Sequence, residues 1–176
     1  TFLVIIQSGA ILAVVTMYLK HIRENPSLVL KVGASFVPTA IVGFGLYEVI
    51  KRVFFHTDWL MLGAFVLVGY VFILLEYLLK KKSIPLTKSV SQMNYREAVL
   101  VGLAQSLAVI PGVSRAGIVI VTLIGMRYKR EEAAMYSFYL AVPTILAASV
   151  FDALKMKNVL VGASVTPLVI GIVGSY

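Results

Sequence analysis

Apolar runs of about 20 residues, separated by basic clusters, recur along this chain. A helix rises about 1.5 Å per residue, so a run of that length matches the ~30 Å hydrocarbon core of a bilayer. "TFLVIIQSGAILAVVTMYL" at 1–19, then 28–49, 59–79 and 133–154, read as such spans, and a further apolar run begins at 159. A soluble core would alternate polar and apolar faces far more often. With 60% hydrophobic and 14% charged residues among 176, the chain reads as an integral membrane protein. Sustained period-2 alternation is absent, so the spans are helices rather than barrel strands. The expectation is an all-α, polytopic helical membrane protein with one transmembrane domain over 1–176. The chain opens at Thr1 and closes at Tyr176 inside apolar runs, which reads as truncation at both ends.

The residue inventory removes several chemistries. There is no cysteine, so disulfides and thiolate metal sites are excluded. Two histidines, His21 and His56, do not make a typical zinc site. The net charge of +8 would suggest nucleic acid in a soluble protein, but here Lys and Arg cluster between spans. Topology and anionic lipid headgroups account for them, and no nucleic-acid partner is expected.

Most other charges have structural readings. Glu48 with Arg52 and Glu76 with Lys80 are spaced as helix-surface pairs, and Asp152 precedes Lys155 by three. Glu97, Glu131 and Glu132 suit the first turns of helices, where the dipole favours acids. Pro26 suits a helix start, Thr57 or Asp58 a cap, and Gly33, Gly43 and Gly45 a close helix neighbour.

Residues 98–126 do not fit this scheme. Their apolar run is interrupted by "AVIPGVSRAG", which carries Pro111, Gly112 and then Arg115. A central arginine costs on the order of 3 kcal/mol even on the lenient insertion scale, so it needs a polar cavity or an anionic partner. Pro111 breaks the hydrogen-bond ladder and Gly112 permits an unusual turn. A second half-helix beginning near Val113 and Ser114 would point unpaired amides and its positive dipole end into the break. With the Ser114 hydroxyl and the Arg115 guanidinium, that arrangement suits a phosphate. Non-helical backbone at this depth must be buried or line a cavity. Gln7, Ser8, Gln105, Ser106, Ser137 and Thr144 are available as its polar lining, or equally as hydrogen-bonding glue between helices. No carboxylate pair is left at the depth of Arg115.

The broken segment can cross once, or dip in and return. If it returns, one side holds ten basic residues: Lys20, Arg23, Lys80, Lys81, Lys82, Lys88, Arg96, Arg127, Lys129 and Arg130. The other side then holds four, Lys51, Arg52, Lys155 and Lys157. A single crossing makes it nine against five. The positive-inside rule favours the re-entrant hairpin, with the basic side cytoplasmic.

Two stretches, "YREAVLVGLAQSLAVIPGVSRAG" and "REEAAMYSFYLAVPTILAA", resemble the bacitracin-resistance-type undecaprenyl-diphosphate phosphatases. "TFLVIIQSGAILAVVTMYLK" is similar to that family's early span. The resemblance implies two re-entrant hairpins in an inverted repeat, of which this chain would carry one. It implies hydrolysis of undecaprenyl diphosphate to the monophosphate and inorganic phosphate, recycling the carrier for peptidoglycan synthesis. By resemblance Arg115 and Ser114 are the catalytic pair, and Pro111, Gly112, Val113 and Gln105 contact substrate. A divalent cation, Mg or Ca, is implied, with ligands outside this chain because the family's acidic motif would precede Thr1. A polyprenyl diphosphate lipid is the implied partner, in a bacterial cytoplasmic membrane, with the cavity facing outward; a homodimer is left open. The family pattern has Ser and Thr where this chain has Ala116 and Val119. A lipid transporter or flippase, or a non-catalytic homologue with the same fold, are the alternatives. A histidine-dependent lipid phosphatase is rejected, since no histidine follows Arg115.

Overall fold

The computed structural model describes residues 2–54, 58–82, 85–155, 170–171 and 173–176. Their helices are α1 (Phe2–Glu24), α2 (Pro26–Phe54), α3 (Asp58–Lys82), α4 (Tyr95–Ser106), α5 (Arg115–Gly125) and α6 (Arg130–Lys155). No strand forms among the described residues, apart from one isolated bridge between Lys88 and Tyr128. Among the described residues, three stretches are long and apolar enough to cross a membrane: Pro26–Leu46, Trp59–Lys81 and Arg130–Phe151. In α1 the apolar stretch Gly9–Tyr18 is shorter. Pro26 opens α2, where its missing N–H costs nothing. The Thr57 cap, His56, Lys157 and the run from 159 lie outside the described residues, as do the side chains of Ser8, His21, Glu48, Arg52, Asp152 and Lys155.

The segment broken at Pro111 is a hairpin. Its limbs, α4 with 12 residues and α5 with 11, are each about 16–18 Å long, roughly half of a bilayer core. At its base, Thr87 N and Lys88 N donate to Arg127 O at 3.1 and 3.0 Å, and Lys129 N donates to Lys88 O at 3.0 Å. A single crossing would hold these residues a membrane apart, so the chain goes in and comes back. The same end holds the close of α3 and the start of α6, joined by Arg130 Nη2 on Glu76 Oε2 at 2.6 Å. Glu76 is also 3.8 Å from Lys80, the expected pair. The ten basic residues of the re-entrant count therefore belong to the helix ends and connections of one face.

Local chemistry sets each limb. Asn94 caps α4 by accepting from Glu97 N at 2.8 Å, while Glu97 Oε2 accepts from Asn94 N at 3.1 Å. Such a reciprocal box satisfies two of the amides a helix start leaves open. The carboxylate of Glu97 also takes Lys88 Nζ at 2.7 Å and the Tyr128 hydroxyl at 2.8 Å, tying the two limbs together. Ser114 caps α5, its Oγ accepting from Gly117 N at 3.2 Å. At the far end of α5, Arg127 N donates to Ile124 O and Tyr128 N to Leu123 O, the paired bonds that close a helix through a left-handed residue. That residue is Arg127, with φ 71°.

Inside a bilayer, helices hold together by close packing and interhelical hydrogen bonds rather than by water exclusion. Both meet where α2 crosses α4. Ser35 Oγ donates to Ala98 O at 2.6 Å and lies 2.7 Å from the Tyr136 hydroxyl, which donates to Lys31 O at 3.1 Å. A Cβ on Gly102 would stand 2.0 Å from Ser35 O, so only glycine permits this crossing. The expected small-residue contact on α2 is displaced accordingly: Gly33 and Gly45 face open space, and Gly43 meets only Val109, at 3.9 Å. The face of α2 that meets α4 is set by Ser35 and Thr39, one turn apart, and Gly33 points away from it. Val101, Val119, Leu123, Tyr136 and Leu140 are fully buried around this crossing. Helix α3 leans on the hairpin at its turn and at Gly117, and turns Phe65, Leu67, Ile73 and Tyr77 outward.

Candidate functional site

A cavity of about 230 Å³ lies between α2, α6 and the break in the hairpin. Its walls are mainly apolar and include Phe36, Phe44, Val109, Ala147 and Phe151. Phe44 and Phe151 meet edge to face at 5.1 Å. Four polar side chains reach it, Thr39, Gln105, Arg115 and Thr144. Phe44 and Phe151 lie late in helices that start at the basic end, so the cavity occupies the opposite half of the bundle.

Arg115 is the first residue of α5, which sets its guanidinium near mid-depth of the membrane. It forms no hydrogen bond or ion pair among the described residues. A guanidinium in a mostly apolar cavity, with no carboxylate among the described residues that line it, is suited to receive an anion, since burying it unpaired is costly.

Gln105 is oriented from below. The single proton of Thr39 Oγ1 is taken by backbone carbonyls, Gly102 O at 2.9 Å and Ser35 O at 3.3 Å, so toward Gln105 the hydroxyl can only accept. Gln105 Nε2 therefore donates to it, at 3.1 Å. This leaves Gln105 Oε1 buried with no partner among the described residues. The site thus offers a cation unpaired among the described residues and, buried in the wall beside it, a carbonyl oxygen that no described group satisfies. Phosphate oxygens suit the guanidinium. Thr144 is already engaged with Leu140 O and Ala141 O.

The other expected residues shape the break. Gly112 takes φ 95°, and a Cβ there would come 2.4 Å from Met61 O, so glycine is required twice over. Val113 N donates to Ile110 O at 3.1 Å, so its amide serves the turn. Pro111, Gly112, Val113 and Ser114 stand outside the cavity lining, and the Ser114 hydroxyl is a helix cap. The first helical bond accepted here is Ile118 N to Ser114 O at 2.9 Å, so the amides of Arg115 and Ala116 stay open at the start of α5. Of the expected polar residues, Gln105 and Thr144 line the cavity, Gln7 is exposed and Ser106 bonds its own helix at Leu103 O. Val119 is fully buried in the helix core. Thr39 carries no motif; its only sequence signal is its place one turn after Ser35 on an apolar helix.

A divalent cation does not fit the cavity as this chain builds it. Among the described residues, neutral oxygens of Thr and Gln are its only donors, beside a guanidinium, whereas such ions take carboxylate oxygens. Among the described residues no three of His, Cys, Asp and Glu converge.

Comparison with known proteins is in keeping with these features. The family model described as bacitracin resistance protein BacA matches residues 1–176. A protein of Campylobacter fetus named undecaprenyl-diphosphatase is 40% identical over 163 residues, 91% of this chain and 62% of its own length. Proteins of the same name from Campylobacter jejuni and Wolinella succinogenes are 34% and 36% identical across the whole chain, which covers 65% and 68% of them. The chain thus spans a little under two thirds of the first of these relatives.

Proposed function

Because the chain belongs to the bacitracin resistance protein family, we propose that it carries the phosphate-binding half of a membrane phosphatase acting on undecaprenyl diphosphate. The observation that carries this reading is the unpaired Arg115 guanidinium, set at the start of a half-helix beside the free carbonyl of Gln105. Arg115 holds the terminal phosphoryl oxygens and stabilises the charge that spreads over them during transfer. Gln105, by a small shift of its buried Oε1, accepts a hydrogen bond from a phosphate O–H and fixes its orientation. The open amides of Arg115 and Ala116, with the dipole of α5, add positive potential at the break. Ser114 contributes by capping α5, which holds Arg115 in place.

Water supplies the oxygen that forms the new bond to phosphorus. The anhydride P–O bond breaks, and the lipid monophosphate leaves. The cavity takes the headgroup and the first part of the tail between Phe36, Phe44 and Phe151. In this reading the hairpin is one half of an inverted repeat. The second half, and the carboxylates that hold Mg or Ca and handle the attacking water, lie in the length of the relatives that this chain does not span. The enzyme sits in the cytoplasmic membrane of a bacterium, basic end inward and cavity outward, and its product feeds peptidoglycan synthesis.

The test is the full-length protein in detergent with a long-chain prenyl diphosphate. Release of inorganic phosphate with Mg or Ca, abolished by EDTA, is expected. Movement of the intact lipid across vesicles without release would overturn the phosphatase reading in favour of a flippase.

A further inference from the structure

A second cavity, of about 370 Å³, opens at the basic end between the start of α2, the turn at 89–91 and the start of α6. Four charged residues line it: Lys31, Lys129, Glu131 and Glu132. None of the four pairs with another, because the ion pairs among the described residues are Lys80–Glu76, Lys88–Glu97 and Arg130–Glu76. Lys31 is only 8% exposed. Its Nζ donates to Ser91 O at 3.1 Å, a single carbonyl for an ammonium that has three protons and a full charge. A buried ammonium without a counter-charge is costly. Glu132 is bound to the same turn that takes Lys31, its oxygens accepting from Ser89 Oγ at 2.9 Å and Val90 N at 3.0 Å. Two ammonium groups and two carboxylates thus line one cavity, and none forms an ion pair with another.

We propose that this cavity binds the headgroup of a zwitterionic phospholipid bearing a primary amine, of the phosphoethanolamine class. The phosphate sits between Lys31 and Lys129, and the amine donates to Glu131 and Glu132. The position agrees, since the cavity lies among the basic helix ends that meet the headgroup region. The mixed charge also argues against a purely anionic ligand, which the two carboxylates would repel. This site is separate from the one at Arg115, and its failure would leave that reading untouched.

The test uses the full-length protein in detergent and short-chain lipids with identical tails and phosphoethanolamine, phosphocholine or phosphoglycerol headgroups, beside inorganic phosphate. Affinity is read by native mass spectrometry. Phosphoethanolamine is expected to bind at least tenfold more tightly than the other three. Lys129→Gln and Glu131→Gln, both at exposed positions, are each expected to weaken it several-fold, and Lys31→Met more, without changing prenyl diphosphate hydrolysis. Equal binding of all headgroups, unchanged by the exposed variants, would overturn the proposal and leave ordinary annular lipid. Tighter phosphoglycerol or inorganic phosphate binding, insensitive to Glu131→Gln, would overturn it in favour of a simple cationic patch.

Discussion

Arg127 shows how a single residue can work against its own backbone. It closes α5 in the left-handed region, at φ 71°, which costs a side-chain-bearing residue roughly 1–2 kcal/mol and glycine almost nothing. Glycine gives back about 0.5–1 kcal/mol through the freedom it has when unfolded. Arg127→Gly is therefore expected to stabilise the protein by roughly 0.5–1 kcal/mol, and Arg127→Val to destabilise it by more than that. Unfolding in a denaturing detergent series reads both. Arg115, by contrast, was legible as the anomalous charge of the sequence, since depth and cost alone single it out. Gln105 and Thr144 were readable as polar residues on apolar helices, but not which of them would be left with a free atom. That depends on Thr39, whose one proton is held by the carbonyls of Gly102 and Ser35, and no spacing rule foresees it. Lys31 escaped for a similar reason. A lysine near a span's start reads as an interfacial cation until the neighbouring turn is seen to bury it.

At the scale of elements, the hairpin depends on its base. Burial pushes the Glu97 carboxyl up, but the Lys88 ammonium, the Asn94 amide and the Tyr128 hydroxyl outweigh this and hold it below the ordinary carboxylate value. Burial and the bond to Glu97 push the Tyr128 phenol up, so it remains a donor. A carboxyl depressed in the folded state contributes stability that is present above its unfolded value, about 4.3, and is lost as pH falls through the folded one. The stability difference between the native protein and Glu97→Gln is thus expected at pH 7 and should narrow progressively below about pH 4.3. Thermal unfolding across that range checks it, and a difference that persists undiminished in acid would exclude the clamp. The break itself was foreseen from Pro111 and Gly112, but not that the first limb spans Tyr95–Ser106 and gives way to a tighter turn at Leu107–Val109 before the proline. The crossing of α2 on α4 was not, because Gly102 lies in a run of ordinary helix formers and its need for glycine comes from Ser35, more than sixty residues away.

For the whole molecule, the in-and-out topology follows from where the two ends of the hairpin meet. The charge count favoured it only as ten against four rather than nine against five. The bonds among Thr87, Lys88, Arg127 and Lys129 make it a matter of geometry. Since the chain has no cysteine, Thr87→Cys and Lys129→Cys can be tested singly with a membrane-impermeant thiol reagent. Both are expected to react only after permeabilisation; reaction of one alone in intact cells would mean a single crossing. The placement of a phosphate receptor at the break is tested most directly in the full-length protein. Phosphate release from a prenyl diphosphate should be compared among native protein, Arg115→Lys and Arg115→Ala. A loss of two or more orders of magnitude is expected for alanine, with lysine intermediate, because it keeps the charge and loses the fork that grips two oxygens. Native-like release by folded Arg115→Ala would contradict the assignment of Arg115 as the group that holds the transferred phosphoryl.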